Sequence, residues 1–574
     1  MQSLLAEIKR RKVFQVAVVY AVVAWLLIQI VATVEAPLQL PGWFDTSVIV
    51  LLFVGFPIAV ILAWIYDFSA HGIERTPDAE SSKPADPPPS DVAAVANATD
   101  SAPTTLENSI AVLPFENMSP DPDHAYFAAG IHEEILNSLA QLKSLNVIAR
   151  TSVLQYAGTQ QPIADIARAL GVKTIMEGSV RYAGTRVRVT TQLIDAATGS
   201  HLWSEAYERE FDDIFAIQAD IAFQVADKLQ AEFTGEERQR VAAPASTSTD
   251  AYALYLQALN VSATGNTSEI IALLDRAIEL DPHFSMALGN KAATLGVDLI
   301  NTTASVARDI DELAPQIRKF AFAALEIDPQ DSNANSALAF LAEFTWHWTE
   351  ARTYALRALE SPQIGGILAA TICWSLSWAG DPERGIEGAR RIQRLSPADW
   401  SSYWNLGITL NYAGRYDEAA VALRASIDMI PAIPLHHSWL AITEVARGES
   451  ASARGELELT EKLLGEQRPT IYLLDMGYTW GRLGDTDNAR RLIDEALDRA
   501  EEQAIGAGGF ALGHLAVGEP EKALQYLREA AQKAARHEVD AGMFSLMNLR
   551  MNYTADPLLE TAEFAEVRAQ LKGD

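Results

Sequence analysis

The sequence predicts a multidomain chain: a transmembrane helical hairpin, then a small α/β domain, then an all-α repeat superhelix. Three observations carry that fold class. Two long apolar runs, residues 13–34 and 47–66, stand near the N-terminus. Through residues 108–235, β-rich runs alternate with helical apolar spacing. From 250 to 535, small and apolar residues recur with a period of ~34.

Residues 1–75 read as a membrane anchor with two transmembrane helices, at about 13–34 and 47–66. Each run is long enough to cross a ~30 Å hydrocarbon core. Neither contains Asp, Glu, Lys, Arg or His, so no proton or ion path is expected. Lys9, Arg10, Arg11 and Lys12 precede the first run, and residues 35–46 contain no Lys or Arg. Positive charge stays on the cytoplasmic side, so two crossings return the chain to the cytoplasm. Trp25, Trp43, Phe44, Trp64 and Tyr66 suit the headgroup level. A cleaved signal peptide fits poorly, because the first run exceeds the usual ~7–15 apolar residues and a second run follows. The expected location is the bacterial inner membrane, multi-pass, with both termini cytoplasmic.

The net charge is −30 over 574 residues, and the acidity covers both soluble regions, −8 over 106–235 and −18 over 236–574. Phosphate backbones require basic surface, so nucleic acid is disfavoured as a partner. Anionic lipid should repel the soluble part, which leaves the hairpin as the anchor. Cys373 is the sole cysteine. That excludes a disulfide framework and a Cys-rich zinc site. Lying in an apolar repeat helix, Cys373 reads as a packing residue.

Residues 76–107 are rich in Pro, Ser, Ala and Asp and include Pro87, Pro88 and Pro89. With little apolar surface to offset ordering entropy, they read as a disordered linker. The α/β domain spans 108–235. A strand at 109–115 leads to a helix at 125–142, with Ile131, Ile135, Leu139 and Leu142 on one side. A strand at 145–149 and a helix at 163–170 follow, the helix ending at Gly171. Strands 174–182 and 186–195 flank a hairpin turn, a third strand starts at His201, and an amphipathic helix covers 214–233. The order is β-α-β-α-β-β-β-α.

The blocks SIAVLPFENMS, YFAAGIHEEILNSLAQL and ALGVKTIMEGSVRYAGTRVRVTTQLIDAATGSHLWSEAYERE, in that order, resemble the TolB-like amino-terminal domain. The resemblance covers roughly 108–234. It implies a module of bacterial multidomain signalling proteins, often set between an upstream effector and C-terminal repeats. That effector is a class III cyclase or a winged-helix DNA-binding domain. Here only the hairpin stands upstream, so neither activity is expected, and the resemblance supplies no catalytic residue.

Two constellations in this domain invite chemistry. His132-Glu133-Glu134 is a fragment of a metal motif without the second histidine; the plainer reading is the polar face of a surface helix. Arg181, Arg186 and Arg188 surround the hairpin. They could grip an anion, or protect an exposed strand from edge pairing. The chain has no Walker-type loop and no nucleophile elbow, so no enzyme, cofactor or metal is expected.

Residues 236–249 read as a second linker. In the following array, Tyr403, Leu406, Gly407, Leu410, Ala419, Leu423, Ser426 and Pro431 occupy the W-x-x-L-G-x-x-Y…A…P positions of a tetratricopeptide (TPR) unit. Neighbouring units repeat the frame, giving about eight helix pairs over 250–535. Residues 536–574 read as C-terminal capping helices. The resemblance to TPR proteins implies a superhelix that binds protein or peptide on its concave face. The groove positions include Phe340, Phe344, Trp374, Trp378, Trp404, Tyr412, Trp439 and Tyr478. Such a stripe either anchors a partner or packs between neighbouring first helices.

The expected function is that of a membrane-anchored cytoplasmic TPR scaffold in bacterial signalling or regulation. Its partners are proteins and, through the hairpin, the bilayer. Two alternatives remain: an anion or small-ligand sensor acting through the TolB-like domain, and an envelope-assembly protein with its soluble part outside the cytoplasm.

Overall fold

The computed structural model describes residues 66–69, 72–75, 106–119, 125–183, 186–210, 214–243, 245–262, 266–305, 310–361, 366–465, 468–499, 505–538, 543–551 and 556–571. The chain forms two compact units, Met1–Thr99 and Asp100–Asp574. In the first, strands β1 (Tyr66–Ser69) and β2 (Gly72–Arg75) pair antiparallel. The apolar run 13–34, nearly all of 47–66 and the linker to residue 105 lie outside the described residues. Among the described residues, no helix is long and apolar enough to cross a membrane.

The second unit begins with a six-stranded sheet. Its strands are β3 (Ser109–Val112), β4 (Glu116–Asn117), β5 (Asn146–Val147), β6 (Thr174–Ala183), β7 (Arg186–Asp195) and β8 (His201–Glu210). The order is β5-β3-β6-β7-β8, with β4 paired to β6. β3 runs parallel to β5 and β6, whereas β6, β7 and β8 form an antiparallel meander. Residues alternate across β3. Ile110 and Val112 enter the core beneath helices α1 (Ala125–Ala140) and α4 (Ile214–Lys228). Ala111 and Leu113 enter the core on the opposite face, with Ile166 and Leu170 of α3 (Ile163–Leu170). A short α2 (Arg150–Val153) precedes α3. Gly171 closes α3 at φ 65°, a left-handed position that favours glycine.

Residues 236–249, expected as a linker, begin with a helix: α5 spans Gly235–Ala242. The Thr234 hydroxyl accepts from the Glu237 amide, and Glu237 accepts in return from the Thr234 amide at 2.8 Å. This reciprocal capping box supplies the start signal that composition alone conceals.

Eight antiparallel helix pairs follow: α6 (Thr249–Ser262) with α7 (Thr267–Leu280), α8 (Ser285–Ser305) with α9 (Ile310–Ile327), α10 (Ser332–Phe344) with α11 (Trp348–Glu360), α12 (Gly366–Trp378) with α13 (Pro382–Leu395), α14 (Trp400–Tyr412) with α15 (Tyr416–Met429), α16 (Pro434–Arg447) with α17 (Ser450–Leu464), α18 (Thr470–Arg482) with α19 (Thr486–Asp498), and α20 (Ala507–Ala516) with α21 (Pro520–Ala534). Small residues set the crossings. A Cβ on Gly407 would lie 2.6 Å from Leu423, and one on Gly477 2.7 Å from Ile493. Left-handed glycines end first helices or the turns after them at Gly380, Gly414, Gly448, Gly484 and Gly518. Between units, the buried Glu444 carboxylate is gripped by Arg424 and Arg447, which satisfies a charge that burial would otherwise penalise.

The chain ends in α22 (Met543–Met551), a single 3-10 turn (Pro557–Glu560) and α23 (Ala562–Gln570). α23 packs on α21, and α22 packs on α20 and reaches α18. Leu546, Met547, Leu549, Leu559, Phe564, Val567 and Leu571 all join the apolar core of the array.

Candidate protein-binding groove

The first helices of successive pairs place their ring-bearing faces side by side. Trp374 and Trp378 stack one helical turn apart, with centroids 5.9 Å apart and planes 7° from parallel. Trp404 meets Trp374 edge-on at 5.5 Å. Tyr412 meets Trp378 at 5.8 Å and Trp439 at 5.7 Å. A ladder of five rings thus crosses α12, α14 and α16. Phe340 and Phe344 form a separate pair on α10, with centroids 6.0 Å apart. Tyr478 stands apart on α18.

The sequence reads these eight residues as groove positions that either anchor a partner or pack between neighbouring first helices. Seven are buried and Trp404 is half-buried. Neighbouring first helices cover part of their surface, and the C-terminal segment covers more. Tyr412 Oη donates to Asn548 Oδ1 at 2.7 Å, and Tyr478 Oη donates to Asp556 Oδ2 at 2.6 Å. Arg482 lies 3.3 Å from the same Asp556 carboxylate, which also accepts from the Leu558 amide. The Asn548 amide donates to Asp475 at 3.5 Å. Further along, Trp346 Nε1 donates to the Glu538 carbonyl at 3.1 Å, and His537 hydrogen-bonds the Thr345 carbonyl while stacking on His347.

Sequence reasoning missed the polar members of this face. Glu343 is fully buried, and among the described residues neither carboxylate oxygen has a hydrogen-bond partner. Burial pushes its pKa up to about 8; the Ser375 hydroxyl, which opposes that shift, donates to the Thr371 carbonyl. Burial likewise raises Asp475 to about 7, against the Asn548 hydrogen bond. The signal was present in α10, where Glu343 follows Phe340 by three residues and so shares its face. Cys373 is buried with its thiol pushed up to about 12.

In the α/β domain, Arg181 and Arg188 sit directly across the β6–β7 ladder and are exposed. Arg186 lies 3.3 Å from Glu208 and 4.0 Å from Glu210 on β8. Of the three arginines, Arg186 therefore faces carboxylates. The cluster's expected role as an edge guard is corrected, because β7 is an interior strand and β8 is the edge. His132-Glu133-Glu134 is not the polar face of a surface helix. His132 and Glu134 are buried because α1 lies between the sheet and α6 of the array. His132 Nε2 lies 2.8 Å from the Val112 carbonyl, and burial lowers its pKa to about 4. Glu133 lies 3.1 Å from Arg150, and burial beside Glu133 raises Glu134 to about 8. Among the described residues, no His, Cys, Asp and Glu cluster has the arrangement to hold a metal ion.

Residues 106–222 match the family described as HilA/YgeH-like transcriptional regulator, second domain. A putative adenylate cyclase 3 of Rhizobium meliloti is 38% identical over 196 residues, which is 34% of this chain and 33% of that protein. The chain thus spans about a third of the length of the curated relative it matches. Among solved structures, PilF of Pseudomonas aeruginosa is 18% identical with a TM-score of 0.28, over 37% of this chain and 91% of PilF. A tetratricopeptide repeat protein of Parabacteroides merdae is 13% identical with a TM-score of 0.33, over 47% of this chain and all of that one. At these TM-scores the likeness carries no functional argument; the stacked helix pairs themselves make the C-terminal array TPR-like.

Proposed function

We propose that this chain is a membrane-anchored, non-enzymatic TPR scaffold that binds protein partners in bacterial signalling or regulation, with both termini cytoplasmic. Residues 13–34 and 47–66 hold it in the inner membrane, and residues 76–107 give reach. The TolB-like domain docks or senses, and the array binds. The observation that carries this reading is the stack of eight helix pairs itself, because arrays of this kind present an extended concave surface suited to binding protein segments. The aromatic ladder from Trp404 through Trp374, Trp378 and Tyr412 to Trp439 holds successive first helices together beneath that surface. The anion-sensor reading rests on Arg181, Arg186 and Arg188, of which Arg186 already faces two carboxylates.

The first test is a pair of topology reporters fused after Asp574, one active only in the cytoplasm and one only outside it. The cytoplasmic reporter is expected to be active. Activity of the outer reporter alone would replace this reading with envelope assembly.

A further inference from the structure

We propose that α22, with His537 and Glu538 before it and Asp556 after it, is the groove's own ligand held in cis. A partner protein would enter as a short helix carrying an amide, followed beyond the helix's end by a carboxylate, displacing α22 and the Asp556 side chain. This rests on the scaffold reading above and names the kind of partner that the groove accepts.

Two independent observations support it. First, these residues meet the face built by the first helices at several places. They touch the turn after α10 at Thr345 and Trp346, then α14 at Tyr412, then α18 at Asp475, Tyr478 and Arg482. A simple end cap would contact only the last pair, as α23 does. Second, the attachment uses a helix-in-groove pattern. Leu546, Met547 and Leu549 are buried apolar anchors, while Asn548 and Asp556 meet two tyrosine hydroxyls, one carboxylate and one guanidinium. Any segment that presents the same groups in the same places satisfies the same donors and acceptors, so exchange leaves no buried polar group unpaired.

The division of labour follows from the packing. α23 stays on α21 and closes the array, and α22 is the exchangeable element.

The test uses detergent-solubilised full-length protein and a fluorescent synthetic peptide of residues 540–560, followed by anisotropy. Wild-type protein, with its groove filled, should take up little peptide. The Asn548→Ala/Asp556→Ala variant should bind it at least tenfold more tightly, and adding Tyr412→Phe and Tyr478→Phe should abolish that gain. A variant with unchanged circular dichroism that takes up no peptide would overturn the proposal, as would equal uptake by wild type. Hydrogen exchange on wild type guards against a variant that fails to fold. Amides of Met543–Met551 should exchange at least tenfold faster than those of α18 and α20, and equal rates overturn exchange. The outcomes separate cleanly from the scaffold reading. Peptide exchange together with an outward-facing C-terminus sinks only the cytoplasmic scaffold, whereas a cytoplasmic C-terminus without exchange sinks only the self-ligand.

Discussion

Glu343 carries its charge state into the stability of the array. Its carboxyl is raised from the ordinary value to about 8 by burial, so the native state holds a proton that the unfolded chain has already lost above pH ~4.5. Stability from this group is therefore full at acid pH, falls as pH rises toward 8, and stays low above it. Asp475, raised to about 7, adds a slope of the same sign over a lower window. Glu343→Gln removes the penalty without changing shape. It should melt higher than wild type at pH 8 by about 2–4 kcal/mol of stability and match it near pH 4.5. Thermal unfolding of both proteins from pH 4.5 to 8.5 checks this, and parallel curves would mean that Glu343 is satisfied by a group that holds its charge.

At the level of the helix pair, two kinds of glycine do different work. Gly385 begins the second helix of its unit, and a Cβ there would lie 2.3 Å from the Cys373 carbonyl, a backbone atom with no room to move. Gly448 has φ 81° and open space around it. Gly385→Ala should therefore cost about 2–3 kcal/mol through overpacking, and Gly448→Ala only about 1 kcal/mol through backbone strain. Urea midpoints of the two variants test the order. The frame that places Gly385 opposite the first helix of its unit and Gly407 opposite the second was legible in the sequence, because it follows from a local period. So was α3, which runs from Ile163 to Leu170 as its spacing and Gly171 indicate. The fate of α22 was not legible. Its apolar residues read as a cap, and it does pack on α20, but Asn548 also bonds residues 73 and 136 positions earlier in sequence, and no short-range pattern encodes that reach. The burial of His132 and Glu134 failed to show for the same reason, since α6 covers them only after both domains fold.

Across the whole second unit, the α/β domain is clamped to the array in two places that are distant in sequence. Near the start of the array, Gly130 meets Leu256 so closely that a Cβ would sit 2.2 Å from it, and Gln218 donates to Tyr252 Oη at 2.9 Å. Farther on, the Ala149 amide donates to the Leu395 carbonyl at 2.7 Å, and the Ala398 amide donates to Ser152 Oγ at 3.1 Å. A domain tied at both points cannot rotate without breaking one of them, so the domain and the first four pairs should unfold together. Gly130→Phe places a ring where Leu256 already stands and should break the first tie by opening the apolar cluster that α1 and α4 share with α6 and α7, while the core on the sheet's other face stays intact. Calorimetry should then resolve the single transition of this unit into two, and limited proteolysis should release a fragment ending near α5. Gly235→Ala, with nothing within reach of the added methyl, should keep one transition. If Gly130→Phe also melts as one, the second tie at Leu395 and Ala398 suffices to hold the domain, and signals from it would reach the array through α13 and α14.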